Sequence, residues 1–142
     1  MIKIIFWIEI FNNLNSFFNK ALHSQNRCEE AIKCYDEALT INPKHAEALN
    51  YKGVSLHNLK KCEEAIKCYD DALAINPTYP DCLNNKGVAL FLLNKYQEAL
   101  ECHDKALAIN PNSAHGIYNK ANVLRHLNQP PANAAASTPA AN

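Results

Sequence analysis

The side chains with the most scope for chemistry are six cysteines and six histidines. Cys34, Cys68 and Cys102 recur every 34 residues, and Cys28 and Cys62 keep the same interval. In a small secreted chain, six thiols would read as a disulfide framework. Zinc or redox work would call for a CxxC pair, and there is none. His23 and His57 also stand one interval apart and could share a metal, but two scattered imidazoles at that spacing read as solvated side chains. There is no glycine-rich phosphate loop, no HExxH and no nucleophile beside its base. The chain therefore reads as a non-enzyme that needs neither a cofactor nor a metal.

The interval itself is the stronger signal. "CEEAIKCYDEALTINP", Cys28 to Pro43, returns as "CEEAIKCYDDALAINP", Cys62 to Pro77, agreeing at 14 of 16 places. A looser copy, "YQEALECHDKALAINP", runs from Tyr96 to Pro111. Ala31, Ala65 and Ala99 share the period, as do Ala38, Ala72 and Ala106, and Pro43, Pro77 and Pro111. Gly53 and Gly87 are followed in register by Ala121, and Leu22, Leu56, Leu90 and Leu124 carry the frame to a fourth copy.

Each period holds two amphipathic helices. In the second copy, Leu49, Gly53 and Leu56 share one face of a helix over 46–59. Ala65, Ile66, Tyr69, Ala72 and Leu73 form the apolar stripe of a second helix over 63–75, which Asn76-Pro77 ends. Glu63 and Lys67 lie four apart in the order that supports a helix. A pair this short cannot bury its apolar face alone, so copies must stack into a continuous core. Equivalent residues of stacked helices lie about 10 Å apart, beyond the ~7 Å Cα separation that a disulfide tolerates. The cysteine columns are thus expected to stay reduced, as small apolar fillers.

Composition agrees with a helical domain. Fourteen basic and 14 acidic residues cancel, so no net field draws the protein to nucleic acid or an anionic membrane. The opening "MIKIIFWIEIF" has an apolar run from Ile4 to Ile8, too short for a signal core and ended by Glu9. It reads as a lid on the first repeat. The last stretch, "QPPANAAASTPAAN", has no large apolar residue and is expected to be disordered.

Gly53, Gly87, Ala65, Ala99, Tyr69, Ala72, Ala106, Pro77 and Pro111, at a 34-residue period, resemble the tetratricopeptide repeat (TPR) family. Leu49, Leu83 and Ile117 stand where that family often has tryptophan, and Lys52, Lys86 and Lys120 replace a commonly apolar neighbour of the glycine. Asn19 replaces the glycine in the first copy. The resemblance implies an all-α fold, an α-solenoid of stacked antiparallel helix hairpins. It divides the chain into an apolar segment over 1–11, repeats over 12–45, 46–79 and 80–113, a capping helix or partial fourth repeat over 114–128 and a tail over 129–142. Arg125, His126 and Asn128 give that cap a polar end.

By the family's geometry, the first helix of each pair lines a concave groove. The resemblance places Glu47, Asn50, Val54, His57 and Asn58 there from the second copy, and Asp81, Asn84, Val88, Phe91 and Leu92 from the third. The cap adds Tyr118, Asn122 and Arg125, and Asn85 and Asn119 recur one period apart beside them. Asparagine donates and accepts, which suits the backbone of an extended peptide. Phe91 replaces His23 and His57 of earlier copies and reads as an aromatic anchor, or else as packing against Leu124. Some family members grip a carboxylate terminus with lysine, arginine and asparagine. The corresponding positions here are Asn50, Val54, Asn85, His115 and Asn119, which disfavours that mode. The expected function is a cytoplasmic scaffold that holds a partner peptide or helix in the groove. Self-assembly through the apolar amino terminus is one alternative. RNA binding is another, opposed by Glu47 and Asp81 in the groove.

Overall fold

A computed structural model describes residues 2–6, 9, 10 and 25–129. The expected first helix of the first repeat, with Asn19, Leu22 and His23, and the expected disordered tail after Gln129 lie outside the described residues. Within them are six helices in series: α1 Gln25–Ile41, α2 Ala46–Asn58, α3 Cys62–Ile75, α4 Pro80–Leu92, α5 Tyr96–Ile109 and α6 Ala114–Asn128. Residues 2–6, 9 and 10 are also helical, and no strand occurs among the described residues. Every helix packs on the next one in the chain, and α4 also touches α2 and α6. The result is an α-solenoid of antiparallel hairpins in which α2, α4 and α6 form one layer.

The helix ends are set by local chemistry. After α2, Lys60 takes a left-handed φ of 65°, its N–H donates to the His57 carbonyl, and the Lys61 N–H donates to the Leu56 carbonyl. Asn94, at φ 61°, repeats the arrangement one period later, with Lys95 donating to Leu90. This paired closure ties off the last carbonyls of the helix and turns the chain back sharply. Between hairpins, the Asn42 and Asn76 side chains accept from the backbone N–H of Lys44 and Thr78, each at 3.2 Å. His45 and Ser113 cap α2 and α6 by accepting from Ala48 and Gly116, and Pro80 opens α4 with its fixed φ.

Alanine columns form the spine. Ala65, Ala72 and Ala99 are wholly buried, with Ala31, Ala38 and Ala106 close behind. The aromatic between them lies against the glycine of its partner helix. A Cβ on Gly53 would stand 2.5 Å from the Tyr69 ring, and one on Gly87 would stand 2.6 Å from the His103 ring. The hairpin angle in both repeats therefore depends on a missing methyl group. All six cysteines are thiols rather than disulfide partners; five are buried and Cys34 is half-buried. The most enclosed, Cys82, has its pKa pushed up to about 12 by burial. It is an inert filler whose Sγ lies 3.6 Å from the Tyr69 carbonyl.

The lysines beside the glycines have a use that the sequence did not disclose. Lys52, Lys86 and Lys120 reach back to Asp36, Asp70 and Asp104 of the preceding helix pair at 2.6, 2.6 and 2.7 Å. The same ion pair thus bridges each repeat to the next. Its carboxylates are about half exposed, so each pair contributes under about 1 kcal/mol and serves register more than stability.

Helix α6 spans the expected cap. Its polar end is present, but Ile117 is 52% and Leu124 36% exposed, whereas their counterparts Leu83 and Leu90 are 5% and 2% exposed. The face that α3 covers on α2, and α5 covers on α4, stands open on α6.

Candidate groove on the inner helix layer

Two concavities lie along the layer formed by α2, α4 and α6. The first, about 400 Å³, is lined by Asn50, Tyr51 and Val54 of α2, by Tyr79, and by Asp81, Asn84 and Asn85 at α4. Ser113, His115 and Asn119 close it from the α6 side. The second, about 220 Å³, is framed by Val88, Phe91 and Leu92 of α4, by Asn119, Asn122 and Val123 of α6, and by His103 of α5. Asn119 borders both, so the two form successive stations on one surface.

The amides are held in place rather than free to rotate. Asn50, only 3% exposed, donates through Nδ2 to the Tyr79 hydroxyl at 3.3 Å and accepts at Oδ1 from Asn85 Nδ2 at 3.0 Å. This chain crosses from one repeat to the next, and it leaves the half-buried Asn85 carbonyl oxygen as an acceptor at the groove surface. Burial raises the Tyr79 pKa far above the usual phenol range, keeping its hydroxyl protonated. The lining contains Asp81 and His115 but no lysine or arginine. It offers fixed hydrogen-bonding groups without cationic charge.

Of the residues expected in the groove, Asn50, Val54, Asn84, Asn85, Val88, Phe91, Asn119 and Asn122 line these two cavities. His57, Tyr118 and Arg125 line neither. Tyr118 is 65% exposed, and His57 is half-buried with an Nδ1 that has no partner. Phe91 packs within an aromatic group. Its ring meets His126 edge-on at 4.8 Å and Tyr96 at 5.4 Å, and its exposed part borders the smaller cavity.

Five contributors were not foreseen in the sequence: Tyr51, Tyr79, His103, Ser113 and Val123. The third left a visible trace, because His103 stands where the first two copies have Tyr35 and Tyr69. It is 1% exposed, and its Nδ1 lies 3.1 Å from Asn84 Oδ1. An amide oxygen can only accept, so Nδ1 carries the hydrogen. Burial holds the His103 pKa below its usual value, partly opposed by Asp104, and the buried Nε2 has no partner.

Burial likewise lowers the pKa of His45, against the pull of Glu47, and of His57, where Lys60 adds to the effect. All three folded-state values lie below the ordinary 6.5, so the unfolded chain takes up these protons first. The stability they contribute is complete above pH 6.5 and declines as pH falls below it. Urea midpoints are expected to drop between pH 7.5 and pH 5.5. His103→Tyr should flatten that slope, each such histidine contributing at most about 1.4 kcal/mol per pH unit.

Residues 20–60 and 56–94 each match a family model described as a TPR repeat, and residues 80–113 match the model named tetratricopeptide repeat. The chain belongs to the tetratricopeptide repeat family. Solved TPR structures superpose along most of its length. The first TPR of Spaghetti (RPAP3), bound to an HSP90 peptide, SRMEEVD, is 23% identical with a TM-score of 0.78, covering 87% of this chain and 94% of that one. The Sgt2 TPR domain from Aspergillus fumigatus is 24% identical with a TM-score of 0.77, covering 92% and 86%. The second TPR domain of human RPAP3, in complex with an HSP70 peptide, SGPTIEEVD, is 21% identical with a TM-score of 0.73, covering 82% and 93%. At these identities the likeness establishes the shared fold. No curated protein matches the chain. Among the described residues of this TPR protein, no three His, Cys, Asp or Glu side chains gather as a metal site, and no helix is long and apolar enough to cross a membrane.

Proposed function

We propose that this TPR protein is a non-enzymatic scaffold that binds an extended peptide segment of a partner protein along α2, α4 and α6. The observation that carries the reading is the tethered amide chain Tyr79–Asn50–Asn85 at the base of an open groove. Side-chain amides fixed by one another cost little entropy to engage, and they can pair with a peptide backbone whatever its sequence. Side-chain selection then falls to the apolar station at Val88 and Phe91. TPR neighbours that hold HSP90 and HSP70 peptides support peptide capture as the general mode.

The acidic character of those peptides does not carry over. Their sequences end in EEVD, and the groove here presents no cation to a terminal carboxylate and has Asp81 at its edge. The preferred partner is therefore neutral or basic around its contact segment. The same lack of lysine and arginine disfavours single-stranded RNA. Six reduced thiols suit a reducing compartment such as the cytoplasm.

A display library of linear peptides, selected on the whole protein, tests this. Asn85→Ala with Asn119→Ala removes two half-buried amides without emptying a core position. Selected peptides are expected to lose about tenfold or more in affinity for the double variant. SRMEEVD is expected to bind more weakly than the selected set. Unchanged affinity in the double variant, measured by calorimetry, would refute the groove assignment.

A further inference from the structure

Helix α6 keeps the sequence frame of α2 and α4 with one change at its centre. Ile117 and Leu124 stand where α4 has Leu83 and Leu90, but the glycine between them has become Ala121. On α2 and α4 this face is covered by the antiparallel helix that follows, whereas on α6 it is exposed. Residues 130–142 contain three prolines and no large apolar side chain, so they lack the stripe that α3 and α5 bring. Two features of α6 define what fits. The first is steric: a Cβ on Gly53 or Gly87 would meet the ring of Tyr69 or His103 at 2.5 or 2.6 Å. Ala121 has that Cβ, so a helix seated in the same way cannot carry an aromatic there. The second is charge. Helix α3 opens with Glu63 and Glu64 in its first turn, next to the end of α2. Helix α6 has no carboxylate and ends with Arg125 and His126, where α4 has Phe91 and Leu92. Arg125 enters no ion pair among the described residues.

We propose that the open face of α6 receives an amphipathic helix of a partner protein, antiparallel to α6, acidic in its first turn and with a small side chain opposite Ala121. Such a helix continues the packing that joins α3 to α2, and its first turn arrives at the Arg125 end. Carboxylates there favour both the contact and the helix that carries them. Ile117, Ala121, Leu124 and Arg125 line neither cavity, so this is a second docking surface, separate from the peptide groove. The steric rule also turns away a second copy of this chain. Its helices α1, α3 and α5 bear Tyr35, Tyr69 and His103 at the facing position, and each ring would strike the Ala121 methyl group.

The test uses the full chain labelled with ¹⁵N and two synthetic peptides copying Cys62–Ile75, kept reduced, one unaltered and one carrying Tyr69→Ala. The Tyr69→Ala peptide is expected to bind and to shift the amides of Ile117, Ala121 and Leu124. The unaltered peptide should bind about tenfold more weakly, because its ring meets the Ala121 methyl group. Ala121→Gly in the protein should reverse that order by restoring the seat for the ring. Ile117→Asp, at an exposed position, should abolish binding of both peptides and leave the circular dichroism spectrum unchanged. Arg125→Ala should weaken the Tyr69→Ala peptide about threefold. No binding of that peptide, equal affinity for the two, or an order unmoved by Ala121→Gly would overturn the proposal. Shifts gathered around Gly53 or Asn119 would overturn it as well. So would a wild-type chain that dimerises and is made monomeric by Ile117→Asp, since the face would then belong to a second copy.

Discussion

Tyr69→Ala is expected to lower stability by about 3–5 kcal/mol, the range for emptying a buried aromatic site. The ring is 1% exposed and belongs to a cluster drawn from three helices: Leu49 and Leu56 of α2, Ala65 and Ala72 of α3, and Cys82 and Ala89 of α4. Removing it leaves a void over Gly53 that the glycine, with no side chain to extend, cannot fill. Stability in a stacked array depends on nearest-neighbour contacts, so the damage should concentrate at the junction of α3 with α4. Thermal melts followed by circular dichroism should fall by ~10 °C or more. Hydrogen exchange should show the helices before Tyr69 opening separately from those after it. A variant that melts in one step near the wild-type temperature would contradict this account of the core.

Gly53→Ala reaches the same contact from the opposite side, and two opposing terms decide its sign. Inside a helix, alanine is favoured over glycine by about 1 kcal/mol. Against that, the new methyl group would meet the Tyr69 ring at 2.5 Å, and a second ring atom at 2.9 Å. A rigid, buried ring cannot step aside without moving its own helix, and overpacking of this kind costs about 1–3 kcal/mol. The clash wins, and net destabilisation of up to about 2 kcal/mol is expected in urea titrations. Gly116→Ala is the internal comparison. There the new methyl group meets the Leu107 side chain at 2.9 and 3.3 Å, which can rotate away, and Ser113 Cβ at an ordinary 3.4 Å. Its effect should stay within about 0.5 kcal/mol of zero. If both substitutions behaved alike, close approach of the helices would not be what Gly53 provides.

These contrasts indicate which parts of the molecule the sequence could disclose. The fold was legible because each of its determinants repeats: the glycine-to-aromatic pairing, the alanine columns and the Asn-Pro helix stops all recur at 34 residues. Helix ends came within a residue, with α2 closing at Asn58 and α3 opening at Cys62. The ladder from Lys52, Lys86 and Lys120 to aspartates of the preceding pair was not legible. In the sequence those lysines stand out only as departures from the family pattern, and their partners depend on the rotation between repeats.

The groove divides in the same way. Asn50 and Asn84 were marked by periodicity and by their helical face. That Asn50 would be buried, with Tyr79 and Asn85 as partners, requires knowing how a loop residue before α4 leans across α2. Tyr118 and Arg125 share a helical face with Asn122 by spacing alone, yet α6 turns them away from both cavities. His103 was readable in principle, as a break in an otherwise constant tyrosine position. A repeat defines its own background, and a single deviation from it carries more information than any agreement.

Copies this alike have a consequence for assembly as well as shape. The helices α1 and α3 carry nearly the same letters, and the ion pairs joining each to the adjacent hairpin are chemically identical. A hairpin from a second molecule could therefore take the place of the native one and satisfy the same partners. Crowded refolding should yield interlocked, swapped chains, a hazard common to tandem arrays. Slow dilution would favour the unentangled monomer.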